Sequence, residues 1–222
     1  MIVSPSPFLE ARMNPSAKSM LTLSHQYGSG GSRIARDLGR RLNWSVWEKE
    51  IVRKIATQYK VSEEYVEAKD ERVDSFIERM VGLFGMGGFE SAYEIPPPLW
   101  LTDAQLMRMT RSIMEDVAKE GQAILVGRAG NRILAGHPEA LHVFLFAPLA
   151  VRIERVMQAE GLKHTEAERR IAGMDKLRAD YVHTFYHADW RDPAHYNLLI
   201  DSGVWGEEGT ADLITWALKH TP

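Results

Sequence analysis

The sequence predicts a three-layer α/β fold, a parallel sheet with helices on both faces, and three observations predict it. Short apolar runs of strand length recur at 20–24, 123–126, 141–146 and 196–200. Each is followed by a segment of helical periodicity, and a glycine-rich turn joins the first run directly to its helix. Strands that alternate with helices make a parallel sheet covered on both sides, and ligands on such sheets bind at the carboxyl ends of the strands.

Taken in order, residues 1–19 contain Pro5, Pro7, Pro15 and several Ser without an apolar stretch, and read as a loose tail. Residues 20–24 are a short apolar run of the kind buried on both faces. After the glycine-rich turn, residues 32–42 carry Ile34, Leu38 and Leu42 on one helical face, with Arg33, Arg36, Arg40 and Arg41 mostly off it. Residues 44–47 are strand-like. Residues 48–80 read as helical with a break at Val61 and Ser62, where Glu63 and Glu64 suit the positive end of a new helix. Residues 82–101, rich in Gly with three consecutive prolines, read as a long loop, either a lid or an oligomer contact.

A helix over 102–120 places Leu106, Met109, Ile113 and Val117 at helical spacing. The strands 123–126 and 141–146 follow, the second leading into a helix over 148–159 with Leu149, Ile153 and Val156 inward. A long polar helix covers 165–188, the last strand is 196–200, and a closing helix runs over 207–219.

A chain of 222 residues, 45% hydrophobic, is long enough for one large domain with a substantial core. The formal net charge of −3 gives no general reason to bind nucleic acid or an anionic membrane, so any anion site has to come from local Arg and Lys clusters. The absence of Cys excludes disulfides and thiolate-ligated zinc. No apolar run reaches the roughly 18–20 residues that span a bilayer. The expected location is the cytoplasm.

A strand, a glycine-rich turn and a helix form the context in which backbone N–H groups and a helix N-terminus hold phosphate. A Walker A loop reads Gly-x-x-x-x-Gly-Lys-Ser/Thr, with Lys for the β/γ-phosphates and the hydroxyl for Mg²⁺. Against that frame His25 stands at the first Gly, Gly30 matches the second, Gly31 replaces the Lys and Ser32 keeps the hydroxyl. The pattern alone would also suit a tight connection. Its position after the first strand favours phosphate binding through Gly28, Ser29, Gly30, Gly31, Ser32 and Arg33, with Ser32 as the metal ligand.

The segments 23–31 (Leu-Ser-His-Gln-Tyr-Gly-Ser-Gly-Gly), 47–51 (Trp-Glu-Lys-Glu-Ile), 126–130 (Val-Gly-Arg-Ala-Gly), 175–181 (Asp-Lys-Leu-Arg-Ala-Asp-Tyr) and 190–192 (Trp-Arg-Asp) occur in one order. In this combination the chain resembles the cytidylate kinase-like family, a branch of the nucleoside monophosphate kinases. The resemblance implies a P-loop kinase core with a five-stranded parallel sheet over 20–222, an insert at about 60–101 and an arginine-bearing lid at about 160–190. It implies transfer of the ATP γ-phosphoryl, with Mg²⁺, to CMP or a similar acceptor. This branch tolerates Gly at the Walker lysine position. The departures from its pattern are His25, where Arg is usual, and Glu48, where Asp is usual.

Phosphoryl transfer needs positive charge around the moving group. Arg128, directly after the strand 123–126, is either a ligand contact or a structural ion pair. Lys176 and Arg178, close to Tyr181, point to lid chemistry, against the alternative of a solvated helix face. The same choice applies to Arg169 and Arg170. Lys49 could reach an acceptor phosphate or replace the missing lysine in space. Arg152 and Arg155 read as surface residues. No carboxylate ends the strands 123–126 or 141–146, and Glu50 and Asp201 read as caps or ion-pair partners sooner than metal ligands. His183 and His187 lie four apart on a helix, which reads as a polar helix end, not a zinc site.

Three functions remain open at this level: a nucleoside monophosphate kinase favouring CMP, a nucleotide-binding regulatory protein that has lost transfer, and a P-loop kinase for another small acceptor. In each the ligand is a nucleotide or a small phosphorylatable molecule, with no nucleic acid or membrane partner, and homo-oligomerisation is left open.

Overall fold

The computed structural model describes residues 18–59 and 103–221. The elements are β1 (Met20–His25), α1 (Gly31–Leu42), β2 (Ser45–Trp47), α2 (Glu50–Tyr59), α3 (Asp103–Glu120), β3 (Ala123–Val126), α4 (Gly130–Ile133), β4 (Ala140–Phe146), α5 (Leu149–Glu160), α6 (His164–Tyr186), a 3₁₀ turn (Pro193–His195), β5 (Leu198–Asp201) and α7 (Ser202–His220). The five strands form one parallel sheet in the order β2-β3-β1-β4-β5. The loop expected at 82–101 and the helix expected beyond residue 59 lie outside the described residues. So does the tail, apart from Lys18 and Ser19, whose N–H groups donate to the Leu218 and Glu139 carbonyls.

The alternation of side chains along each strand builds two cores, one per face of the sheet. Leu21, Leu23, Ile124, Val126, Leu141, Val143 and Leu145 face α1 and α7, where they meet Ile34, Leu38, Ala211 and Ile214. Met20, Ala123, Leu125 and Ala140 face the other way, onto Ile51, Ile55, Ile113, Met114 and Val117 of α2 and α3. Burying each Leu, Ile or Val contributes ~1.5–3 kcal/mol before entropy is counted. A smaller cluster, Ile153, Val156, Ala167 and Ile171, zips α5 to α6.

Helix boundaries follow local chemistry. Asn43 in the left-handed conformation ends α1, and Gly161 does the same for α5. The closing helix differs from its expected start: α7 begins at Ser202, where the Asp201 side chain accepts from Gly203 N, and bends at Gly206, whose φ of 64° and ψ of −177° are open to glycine.

Packing of α5 against the glycine-rich turn makes a first prediction. A Cβ at Gly28, which has φ +78°, would lie 2.9 Å from Arg152 O and 3.0 Å from Val156 Cγ2. Gly28→Ala should lower stability by at least ~1–3 kcal/mol through crowding. A thermal melt within a degree of the wild type would contradict the placement.

Candidate functional site

The strand order sets the site. β1 lies at the centre of the sheet, with β3 on one side and β4 on the other, so its carboxyl end is the switch point where a crevice opens. The chain leaves β1 at His25, turns through Gly28 and Gly30, both at positive φ, and enters α1. Within this turn Ser29 N donates to Gln26 O, and the Arg33 and Ile34 N–H groups both donate to Gly30 O. The N–H groups of Gly28, Gly30, Gly31 and Ser32 donate to no acceptor among the described residues. They are the orphan donors of a helix N-terminus, joined by a glycine turn, and the first turn of α1 carries no acidic residue to occupy them. That donor set fits a phosphate chain.

Beside it opens a cleft of ≈ 510 Å³ into which His25, Glu48, Lys49, Arg128, Arg178 and Trp190 face. Three chain segments deliver the cations. Lys49 precedes α2 at the end of β2, and its carbonyl accepts from Arg53 N. Arg128 follows β3 in a run of left-handed residues, Gly127 (φ 73°), Arg128 (φ 47°) and Ala129 (φ 53°). Two non-glycine residues in that region cost ~1–2 kcal/mol each, a strain of the kind that gathers at functional sites. Arg128 Nη1 donates to the Glu48 carbonyl at 2.5 Å, tying the end of β3 to the end of β2. Arg178 arrives from α6: its Nη1 donates to the His25 carbonyl at 2.5 Å, and its guanidinium lies 5.6 Å from the centre of the Tyr27 ring.

The structure brings a carboxylate to the predicted metal ligand Ser32. Ser32 Oγ, at the Walker hydroxyl position, donates to Glu48 Oε1 at 2.5 Å. One hydroxyl and one carboxylate beside a phosphate cradle match the way Mg²⁺ is held, through few protein ligands plus phosphates and water. The sequence marks Glu48 only as a departure within the 47–51 motif, not as a partner of Ser32, because the two lie sixteen residues apart and meet only through the β2-β3-β1 strand order. Glu50 and Asp201 do act as local caps: Glu50 Oε2 accepts from Glu48 N, and Asp201 Oδ1 accepts from Gly203 N.

The other predicted cations do not face the cleft. Arg33 pairs with Glu207 at 2.5 Å across the α1–α7 surface. Lys176 is exposed and binds Asp180 one turn along α6. Arg170 pairs with Glu160 at 3.5 Å, and Arg169 is exposed. Among the described residues, His183 and His187 belong to no group of three or more metal-ligating side chains.

Arg152 corrects the surface reading. Its side chain is 9% exposed and its Nη1 contacts Asp175 Oδ2 at 2.7 Å, while Nε donates to Ala147 O. Asp175 Oδ1 in turn accepts from Tyr27 N at 2.8 Å, so the buried pair pins the phosphate loop between α5 and α6. A sequence signal existed: Asp175 lies four residues after Ile171 and seven before Val182, on the buried stripe of α6. Arg155 is likewise engaged, with Nη2 donating to Ser202 O and Ser202 Oγ donating to Ser29 O.

Burial and the nearby Arg178 push the His25 imidazole down to about 3, so it is neutral at physiological pH. Its Nδ1 has a partner in either neutral tautomer: Gln26 O at 3.1 Å as donor, Arg178 Nη1 at 3.3 Å as acceptor.

A cytidylate kinase of Methanopyrus kandleri is 33% identical over 111 residues, 46% of this chain and 58% of that protein. A Corynebacterium glutamicum protein named uronate isomerase is 29% identical over 160 residues, 71% of this chain but only 30% of that protein. The chain thus spans less than two thirds of the length of these curated relatives. Among solved structures, an uncharacterised protein of Eubacterium ventriosum superposes with a TM-score of 0.67 at 18% identity, covering 91% of this chain and 99% of that one. A shikimate kinase of Bacteroides thetaiotaomicron superposes with a TM-score of 0.50 at 12% identity, covering 91% and 99%. At these identities the likeness establishes the P-loop kinase fold. The sequence profile of the cytidylate kinase-like family matches residues 20–204, and the chain belongs to that family.

Proposed function

We propose that the protein is a nucleoside monophosphate kinase that transfers the γ-phosphoryl of ATP to CMP or a similar nucleotide. The observation that carries this reading is one cleft at the carboxyl ends of β1, β2 and β3 into which Lys49, Arg128 and Arg178 face, with His25 and Tyr27 at the start of the glycine-rich turn on its wall. Bound ATP with Mg²⁺ supplies the transferable phosphoryl group and the charge that neutralises it. The loop N–H groups of Gly28, Gly30, Gly31 and Ser32 would hold the donor phosphates, and Ser32 with Glu48 would hold the metal. Arg128 and Arg178 would supply positive charge to the transferring group, and Lys49 would orient the acceptor phosphate.

The described lining of the cleft supports the choice of acceptor class. Among the described residues that face it, Glu48 is the one carboxylate, and Ser32 engages it. His25 is neutral and bonded, and with its imidazole near 3 it is a poor base. A hydroxyl acceptor needs its proton removed, whereas a monophosphate is already anionic near neutral pH, with its second pKa at roughly 6. Cations without a free base suit the phosphate. The same reading makes residues 160–190 the lid and places the protein in the cytoplasm.

The deciding experiment measures ADP release from ATP and Mg²⁺ across a panel of nucleoside monophosphates. Acceptor-dependent turnover is expected, strongest with CMP. Gly31 favours a second reading, a nucleotide-binding regulator, because the lysine that follows the transferring group is replaced. Nucleotide binding without turnover for any acceptor would select it. A separate prediction concerns the metal: Glu48→Gln should weaken the apparent Mg²⁺ affinity about 10–100-fold, as loss of a carboxylate beside a metal ligand does. An unchanged Mg²⁺ titration would remove Glu48 from the metal site.

A further inference from the structure

The exchange of residues 25 and 31 against the Walker frame is reciprocal in space. A Cβ built at Gly31 would fall 2.3 Å from Cγ of the His25 ring, 2.5 Å from Cδ2 and 2.7 Å from Nδ1. Atoms at such separations overlap, so the ring stands where a side chain of residue 31 would begin. The lysine is therefore displaced, not merely absent. Position 25, a glycine in the Walker frame, carries a side chain in this chain, and position 31, a lysine in that frame, carries none.

The ring is also tied to a cation. His25 is 9% exposed at the end of β1 and faces the cleft. Arg178 grips it from α6, through the His25 carbonyl at 2.5 Å and with Nη1 at 3.3 Å from Nδ1. Tyr27, the second residue after His25, lies under the same guanidinium, and Tyr27 N is anchored on Asp175, three residues before Arg178 on α6. The positive charge beside the loop thus comes from another helix and reaches it over the ring.

We propose that His25 is a positioning residue that fills the volume of the Walker lysine and holds Arg178 against the phosphate loop, so that Arg178 supplies the charge the lysine would have brought. The burial that keeps the imidazole neutral fits this role, because a charged ring would repel the guanidinium it positions. The inference rests on the nucleotide-binding reading above and deepens it.

The test uses ADP with magnesium chloride as the probe, measured by calorimetry on the full chain, with thermal melts of every variant. Wild-type binding comes first: its absence defeats the nucleotide-binding reading, and this inference with it. Given binding, Gly31→Lys alone is expected to weaken ADP affinity about tenfold or more, because the ring blocks the new side chain. The double variant His25→Gly with Gly31→Lys is expected to recover affinity to within about threefold of the wild type. Arg178→Ala is expected to cost about tenfold in the wild type and less than about threefold in the double variant, where the lysine makes the arginine redundant. If Gly31→Lys binds as the wild type does, or if Arg178→Ala costs the same in both backgrounds, the inference falls while nucleotide binding stands. If the double variant does not fold, His25→Ala decides. A loss of affinity with an unchanged melting temperature that Arg178→Ala does not deepen supports the coupling, and independent losses overturn it.

Discussion

Arg152→Met is expected to lower stability by about 3–5 kcal/mol, the cost of leaving one member of a buried ion pair without its partner. Arg152 and Asp175 are 9% and 7% exposed in their side chains, and their contact is 2.7 Å. Arg191 approaches Asp175 at 3.5 Å but is 55% exposed, so water screens it and it replaces little of what Arg152 gives. For a chain of this size the loss corresponds to a fall in Tm of about 6–20 °C. The consequence reaches the site, because the same carboxylate accepts from Tyr27 N and Arg152 Nη1 also donates to Tyr27 O. Equilibrium denaturation gives the stability, and a change below about 1 kcal/mol would mean that the pair is not buried as described. Replacing both partners by apolar residues should be less harmful than removing Arg152 alone, with a residual cost for the unmade Tyr27 N–H.

Arg128→Ala is expected to reduce acceptor-dependent turnover about 10²–10³-fold, the usual effect of removing one preorganised donor from developing charge. Arg128 is fixed twice over, by its left-handed backbone at the end of β3 and by its bond to the Glu48 carbonyl, so its guanidinium has little freedom to lose on binding. Arg128→Lys should fall in between, since an ammonium cannot meet a carbonyl and a phosphate with one planar fork. ADP affinity should change less than turnover if Arg128 acts on the transferring group. Equal losses in both would make it a ground-state contact, and no loss in either would leave it as the tie between β3 and β2.

The sequence by itself determined the layered α/β fold and the place of the glycine-rich turn after its first strand. Strand-length apolar runs, helical periodicity and a glycine turn between the first of each are local signals, and local signals survive in one dimension. It also singled out Arg128 and Arg178, because a cation just after a strand or inside a recurring polar segment sits at a predictable place in such a sheet. The tertiary structure alone decided which cations share the cleft. Arg33 and Lys176 carry the same charge as Arg128, but their carboxylate partners, Glu207 and Asp180, draw them elsewhere. It alone brought Glu48 to Ser32 and buried Arg152 on Asp175, since those pairs depend on strand order and helix packing. And it alone showed why position 31 is glycine: the ring of His25 already occupies the space, a steric fact between residues whose spacing along the chain records nothing of their separation across the turn.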